Sequence, residues 1–312
     1  MGKSDTVADS LRGLATEGVD TRFAGIDKMS ALELAGVMNE ADAEVPRAVA
    51  GALPVIATVI EAVVDRMAKG GRLRYVGAGT AGRMAVVDAS ECPPTFSTPP
   101  ELVQAILAGG PAAMTNAAEG AEDDDDAGAS AVAAHDITAA DVVIGVTASG
   151  RTPFVLSAIA EARRRGALTA GLSCNADSAL SRVAEHGIEV VVGNEVIAGS
   201  TRLKSGTAQK LVLNMISTIT MVQLGHTYGN YMVDMRVLNE KLAVRAAKMV
   251  SDITGADRDT AAAALAKADN HAKTAVLMIE ADIDVGAARA LLDETAGKLS
   301  QALLRAGASN VE

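Results

Sequence analysis

Tryptophan is absent from this chain, and all aromatic residues together make up 2% of its 312 positions. Stacking platforms for nucleic-acid bases and open sugar grooves are built from aromatic faces, so both are disfavoured. Basic residues are scarce too. Lys and Arg number 28 against 39 Asp and Glu, a net charge of −11. A nucleic-acid partner needs a Lys/Arg footprint for its phosphates, and this balance argues against one.

Cysteine occurs twice, at Cys92 and Cys174, and neither belongs to a CxxC pair. His135, His186, His226 and His271 show no HxxxH or HExxH spacing. Neither a disulfide framework nor a zinc site is expected. No apolar run approaches the ~18 residues of a membrane-spanning helix, so no membrane partner is expected. The opening MGKSDTVADSLRG is polar and lacks the apolar centre of a signal peptide. A cytoplasmic protein is the expectation. Hydrophobic residues are 49% of the chain, enough for a sizeable core of Ala, Val, Leu and Gly.

Residues 1–29 look irregular. Ser30 and Glu33 fit a capping box that opens a helical stretch, interrupted near Pro46 and continuing to Lys69. Gly70-Gly71 supplies a helix stop. Short apolar strands are expected at Arg72–Val76, Leu102–Leu107, Asp141–Val146, Leu168–Cys174 and Ile188–Val192. Helical patterns separate several of them, which implies a parallel sheet covered by helices on both faces. Ligands then belong at the carboxyl ends of the strands. Helical patterns run over Lys204–Leu224 and 236–253. Short amphipathic segments fill 257–312 beyond a boundary near 250–256.

Two glycine-bearing loops follow strands. Gly77-Ala-Gly-Thr-Ala-Gly82 and Thr147-Ala-Ser-Gly-Arg-Thr152 each lead into a helix start. Unpaired N–H groups and the positive dipole end make such a place an anion site. The first loop also matches G-x-G-x-x-G. No acidic residue follows a second strand at the spacing a ribose requires, so a dinucleotide is not expected. The second loop resembles the phosphosugar signature of sugar isomerase (SIS) domains. That resemblance implies hydroxyls from Thr147, Ser149 and Thr152 and N–H groups from Gly150 and Arg151 on a sugar phosphate.

Ser90-Glu91-Cys92-Pro93-Pro94 places a carboxylate beside two prolines, which are expected to stop any helix. Further on, Glu119-Gly-Ala-Glu122 precedes four aspartates, Asp123 to Asp126, read as a solvated helix start or an acidic surface face. The run lacks the spaced Gly and Glu of a calcium loop. The strings GRLRYVGAGTAGRMAVVDASECPPTF, EGAED, VTASGRTP, SCN, KSGTAQKLVLNMIST, NYMVDM and NEKL closely resemble the N-acetylmuramic acid 6-phosphate etherase family. The similarity runs from about Ala15 to the C-terminal helices.

The resemblance implies an α/β fold: a SIS-type parallel sheet sandwiched by helices, with a small C-terminal helical domain. It places an N-terminal helical segment at 1–54, the SIS domain at 55–224, connecting helices at 225–255 and the helical domain at 256–312. It implies a homodimer acting on a sugar phosphate without metal, nucleotide or other cofactor. By motif position the two catalytic glutamates fall on Glu91 and Glu122, with Glu119 the structural runner-up. Gly79, Thr80, Ala81, Gly82 and the second loop would hold the phosphate. The chemistry implied is release of D-lactate by elimination and water addition, in cell-wall amino-sugar recycling. An elimination through an enolate needs one base, one acid and a positive group nearby. Lys204 is the best candidate cation, ahead of Arg202 and Lys210. His226 reads as a satisfied polar group.

The sequence departs from the family pattern in places. Ala81 stands where the first loop usually has Ser. Arg202-Leu-Lys-Ser-Gly-Thr207 is a mild variant. Thr16-Glu-Gly-Val-Asp-Thr-Arg22 lacks the usual Arg-Asn pair. The competing readings are a SIS-type aldose–ketose isomerase and a non-catalytic sugar-phosphate sensor. The isomerase needs no leaving-group acid, and the sensor would carry extra domains.

Overall fold

The structure, a computed structural model, describes residues 13–116, 118, 120–237 and 239–308. Glu119 lies outside them. The chain divides into two compact units, Met1–Ser90 with Glu101–Ser217 and Glu91–Pro100 with Thr218–Glu312.

The first unit is built on five parallel strands: β1 (Leu73–Gly77), β2 (Val103–Leu107), β3 (Val142–Val146), β4 (Leu168–Ser173) and β5 (His186–Glu189). Their order is β2-β1-β3-β4-β5. Every residue of β1, β3 and β4 is buried, as expected of parallel strands with helices on both faces. The strand expected at Ile188–Val192 pairs earlier, over His186–Glu189, although the Val190 N–H still donates to Ser173 O at 2.8 Å. Arg72 clamps Asp141 through Nε and Nη2, each at 2.9 Å, tying the start of β1 to that of β3. Burial alone pushes the Asp141 carboxyl up. The Arg72 bonds and the Thr138 N–H outweigh it and hold the group at about 2.

Helices α1 (Ala31–Asp42) and α2 (Val45–Ala68) precede the sheet. Ser30 caps α1 in a complete box with Glu33. Pro46 sits in the first turn of α2, where its missing N–H costs little. The stretch 31–68 is long and apolar enough to cross a membrane by length and composition, which corrects the sequence reading. Helix α2 nonetheless packs on β4 and β5. Val45, Val49, Ala52, Ile56, Val59, Ile60, Val63 and Met67 form its buried stripe.

Helix α3 (Gly79–Phe96) follows β1. It runs through Pro93 and Pro94, which the sequence reading made its stop. Both prolines lie in the last turn. Their missing N–H groups deprive Ala89 and Ser90 carbonyls of helical donors, and the helix ends two residues later. Asp88 is buried in α3 and accepts from Tyr75 Oη (2.9 Å), Asn214 Nδ2 (2.6 Å) and Ser217 Oγ (2.9 Å). Helix α4 (Asp125–Ala134) is capped by Asp124, whose carboxylate accepts from Ala127 N. The aspartate run is therefore a helix start, as read. Helices α5 (Pro153–Arg164), α6 (Ala179–Val183) and α7 (Lys204–Gln223) complete the covering layers.

The second unit holds α8 (Glu240–Thr254), α9 (Arg258–Lys267), α10 (Ala272–Glu280), α11 (Val285–Glu294) and α12 (Leu299–Ala306). Val250, Leu265, Val276, Leu277 and Leu303 are among the residues of its core. Within this unit His226 Nδ1 meets Asp234 Oδ2 at 2.8 Å, and Lys273 Nζ donates to the same oxygen at 2.6 Å. His226 is thus a partnered polar group.

Candidate active site

Strands β1 and β3 are neighbours, and Gly77 at the end of one registers with Val146 at the end of the other. The chain leaves β1 for β2 on one side and leaves β3 for β4 on the other. Strand order reverses between them, so a crevice opens at their carboxyl ends. Both glycine-bearing loops emerge there.

The first loop turns tightly into α3. A Cβ on Gly82 would lie 2.8 Å from the Gly77 backbone and 2.4 Å from Leu107 Cδ1, so only glycine lets the helix pack this close. The second loop is knit by its own hydroxyls. Thr147 Oγ1 lies 2.6 Å from Thr152 Oγ1 and 3.3 Å from Ser149 Oγ, and Arg151 N donates to Ser149 Oγ at 3.2 Å. Gly150 has φ +71°, and a Cβ there would meet Ser178 Cβ at 2.5 Å. Asn175, just past β4, donates to Ala148 O at 3.1 Å and to Thr16 Oγ1 at 3.0 Å. It fixes both the loop and the N-terminal turn that precedes Glu17.

A cavity of about 320 Å³ occupies the crevice. Gly79, Thr80, Ala81, Thr147, Ser149 and Thr152 line it. Glu122 lines it as well, on the turn Ala121–Asp123 that precedes the Asp124 cap. Gly120, in the left-handed region at φ +80°, sets the direction of that turn. Gly82, Gly150 and Arg151 shape the loops without lining the cavity. Ala81 stands at the wall and offers a methyl where a serine would offer a hydroxyl.

Other expected residues fall elsewhere. Glu91 is exposed in the last turns of α3 and groups with the second unit. Lys204 is 0% exposed, and its ammonium donates to Val192 O at 2.7 Å and Glu44 Oε2 at 3.2 Å. Lys204, expected as the cation beside the enolate, does not line the cavity: its buried ammonium takes the carboxylate and carbonyl beside it. Arg202 and Lys210 are exposed and do not line the cavity.

Three residues in or near the cavity escape sequence reasoning. Glu17 and Gln209 line the cavity. Gln209 is 1% exposed, and among the described residues no acceptor meets its Nε2. Glu195, also 1% exposed, accepts from Lys204 N, Ser205 N and Ser205 Oγ at 2.8–2.9 Å and so caps α7 behind the cavity. The conspicuous Thr16-Glu17 and Thr-Ala-Gln-Lys strings contain two of these residues. Nothing local marks Glu195.

Residues 124–219 match the SIS domain, 55–163 the glucokinase regulatory protein N-terminal SIS domain, and 229–290 the C-terminal lid domain of glucokinase regulatory protein. Over 306 residues the chain is 55% identical to the N-acetylmuramic acid 6-phosphate etherase of Streptomyces avermitilis, covering 98% of each. This chain belongs to the N-acetylmuramic acid 6-phosphate etherase family. The family member of Pectobacterium atrosepticum is 51% identical, over 95% of this chain and 97% of its own. Etherase 1 of Bacillus licheniformis is 46% identical, over 94% and 96%. In this etherase-family chain the sheet is a SIS fold, and the Thr147–Thr152 loop lines the cavity together with Glu122.

Proposed function

We infer that this chain is an N-acetylmuramic acid 6-phosphate etherase, cleaving the D-lactyl ether to N-acetylglucosamine 6-phosphate and D-lactate. The observation that carries this reading is family membership over nearly the full length. The isomerase and sensor alternatives have no comparable support.

The residues have a consistent set of roles in such a reaction. Thr80, Thr147, Ser149 and Thr152 offer hydroxyls to the C6 phosphate, with the loop N–H groups beside them. In the open-chain sugar the C1 aldehyde acidifies the C2 hydrogen. Glu122 takes that proton and leaves an enolate. The C3–O bond then breaks, and the departing lactate takes a proton from Glu91. Water adds at C3, a proton returns to C2, and the sum is ether plus water to sugar phosphate plus lactate. Two carboxyls in opposite protonation states are what this sequence of steps demands.

Mass spectrometry of N-acetylmuramic acid 6-phosphate after incubation with the protein tests the reading. Equal amounts of lactate and N-acetylglucosamine 6-phosphate are expected. Unchanged substrate would overturn it, and a ketose product would support the isomerase.

Ser149→Ala is expected to raise KM more than it lowers kcat. The phosphate is remote from C2 and C3, so its contacts are alike in ground and transition states. A hydrogen bond to a charged group is worth about 1.5–3 kcal/mol, so KM rises roughly ten- to a hundred-fold. Steady-state kinetics check this, and an unchanged KM would remove Ser149 from the phosphate site.

The enzyme acts in the cytoplasm, where charged sugar phosphates are retained, and as a homodimer. Leu32 and Leu53 stay exposed on the apolar stretch 31–68, and a second copy would cover them. Light scattering is expected to give twice the chain mass. A fully active monomer would refute the dimer.

A further inference from the structure

Arg83 sits one residue past the first glycine loop, on α3, and is half-buried. Its Nε donates to Ala113 O (3.0 Å) and Met114 O (3.1 Å), and its Nη2 donates to Asn116 O (3.1 Å). These carbonyls orient the guanidinium but carry no charge to neutralise it. Among the described residues no carboxylate pairs with it. A positive fork is thus held in one orientation, facing a separate space.

That space is a side pocket of about 160 Å³. Arg83 lines it together with Ala108, Ala113 and Ala118. Its remaining lining, Ala78, Gly79 and Glu122, is shared with the larger cavity. Glu122 therefore stands at the boundary between the two. The hydroxyls of the second loop lie on one side of it and the guanidinium on the other.

We propose that this side pocket is the subsite for the lactyl group, with Arg83 binding its carboxylate. The inference rests on the etherase reading given above. That substrate carries two anions, the C6 phosphate and the lactyl carboxylate on C3. The neutral hydroxyl loop suits the first, and the second needs a cation. C3 adjoins C2, so a base that takes the C2 proton has the C3 substituent beside it. The pocket beside Glu122 is where that substituent falls. Its volume equals about five waters at ~30 Å³ each, room for a three-carbon acid. The alanine methyls face the lactyl methyl. A guanidinium fork matches a carboxylate in shape and charge, which an ammonium does not. Arg83 also separates the etherase from a plain sugar-phosphate binder, because it reads a group that the product sugar no longer carries.

The test compares N-acetylmuramic acid 6-phosphate with its lactamide analogue, whose carboxylate is a neutral amide. The parent enzyme is expected to favour the acid in kcat/KM by about ten- to a hundred-fold. Arg83→Met is expected to lose most of its activity on the acid and little on the amide, so the preference collapses towards unity. Arg83→Gln keeps a donor for the backbone carbonyls and loses the charge. It should show the same collapse, which guards against a Met variant that fails to fold. Retention of the parent's preference in the variants would overturn the proposal. Equal losses on both substrates would also overturn it, leaving Arg83 as a clamp on residues 113–116. A parent enzyme that releases no lactate from the acid would overturn the etherase reading itself, and this proposal with it.

Discussion

Glu122→Gln is expected to stop both lactate release and exchange of the C2 hydrogen with D₂O. The substitution keeps the shape of the side chain and removes its capacity to take a proton. Glu122 lies among the cavity-lining residues with the hydroxyl loop, at the border of the Arg83 pocket. Abstraction at C2 opens the whole sequence, so no later step survives its loss. A single acid–base group contributes about 10²–10⁴-fold, and both readouts should fall by at least that factor. Exchange followed by proton NMR, alongside a lactate assay, measures them separately. Exchange at the parent rate would remove Glu122 from the role of base.

Glu91→Gln is expected to separate the same two readouts. The base remains, so the enolate forms and can be reprotonated. Lactate release falls by about 10²–10⁴-fold, because an alkoxide leaves poorly without a proton. Exchange at C2 persists, and it persists also with N-acetylglucosamine 6-phosphate, which has no leaving group. Abolished exchange in Glu91→Gln with retained exchange in Glu122→Gln would reverse the two roles. Lactate release at the parent rate in both variants would exclude these glutamates from the chemistry.

The sheet was legible because most of its strands are short apolar-rich runs bounded by turn signals; four of the five expected strands match closely, and the fifth, expected at Ile188–Val192, overlaps the observed His186–Glu189 only at Ile188 and Glu189. Capping chemistry was equally direct: Ser30 with Glu33 and Asp124 before α4 act through neighbours in sequence. What escaped reading depends on distant partners. Pro93 and Pro94 look like a helix stop because local sterics say so, yet α3 carries them in its last turn. Lys204, near a helix start and Gly206, looks like an anion ligand. Its partners Glu44 and Val192 are far along the chain, and they turn the ammonium inward. Glu17 reaches the cavity region through a turn pinned by Asn175, a pairing across 159 positions that no spacing rule encodes. Glu122 and the second loop, each in a contiguous motif, do line the cavity.

The larger cavity is lined by two carboxylates, Glu17 and Glu122, and by no described lysine or arginine. A doubly charged phosphate bound there as proposed would be held by directed, short-range donors and not by a pool of positive charge. Coulomb attraction between separated ions fades with added salt, whereas a hydrogen bond formed at contact distance hardly notices it. Affinity at this end of the sugar should therefore vary little with ionic strength. The hydroxyl loop itself adds no long-range pull on the incoming phosphate, so any steering of the substrate falls to Arg83 in the adjoining pocket. The loop also lets the phosphorylated product depart without breaking an ion pair, which favours turnover over tight retention.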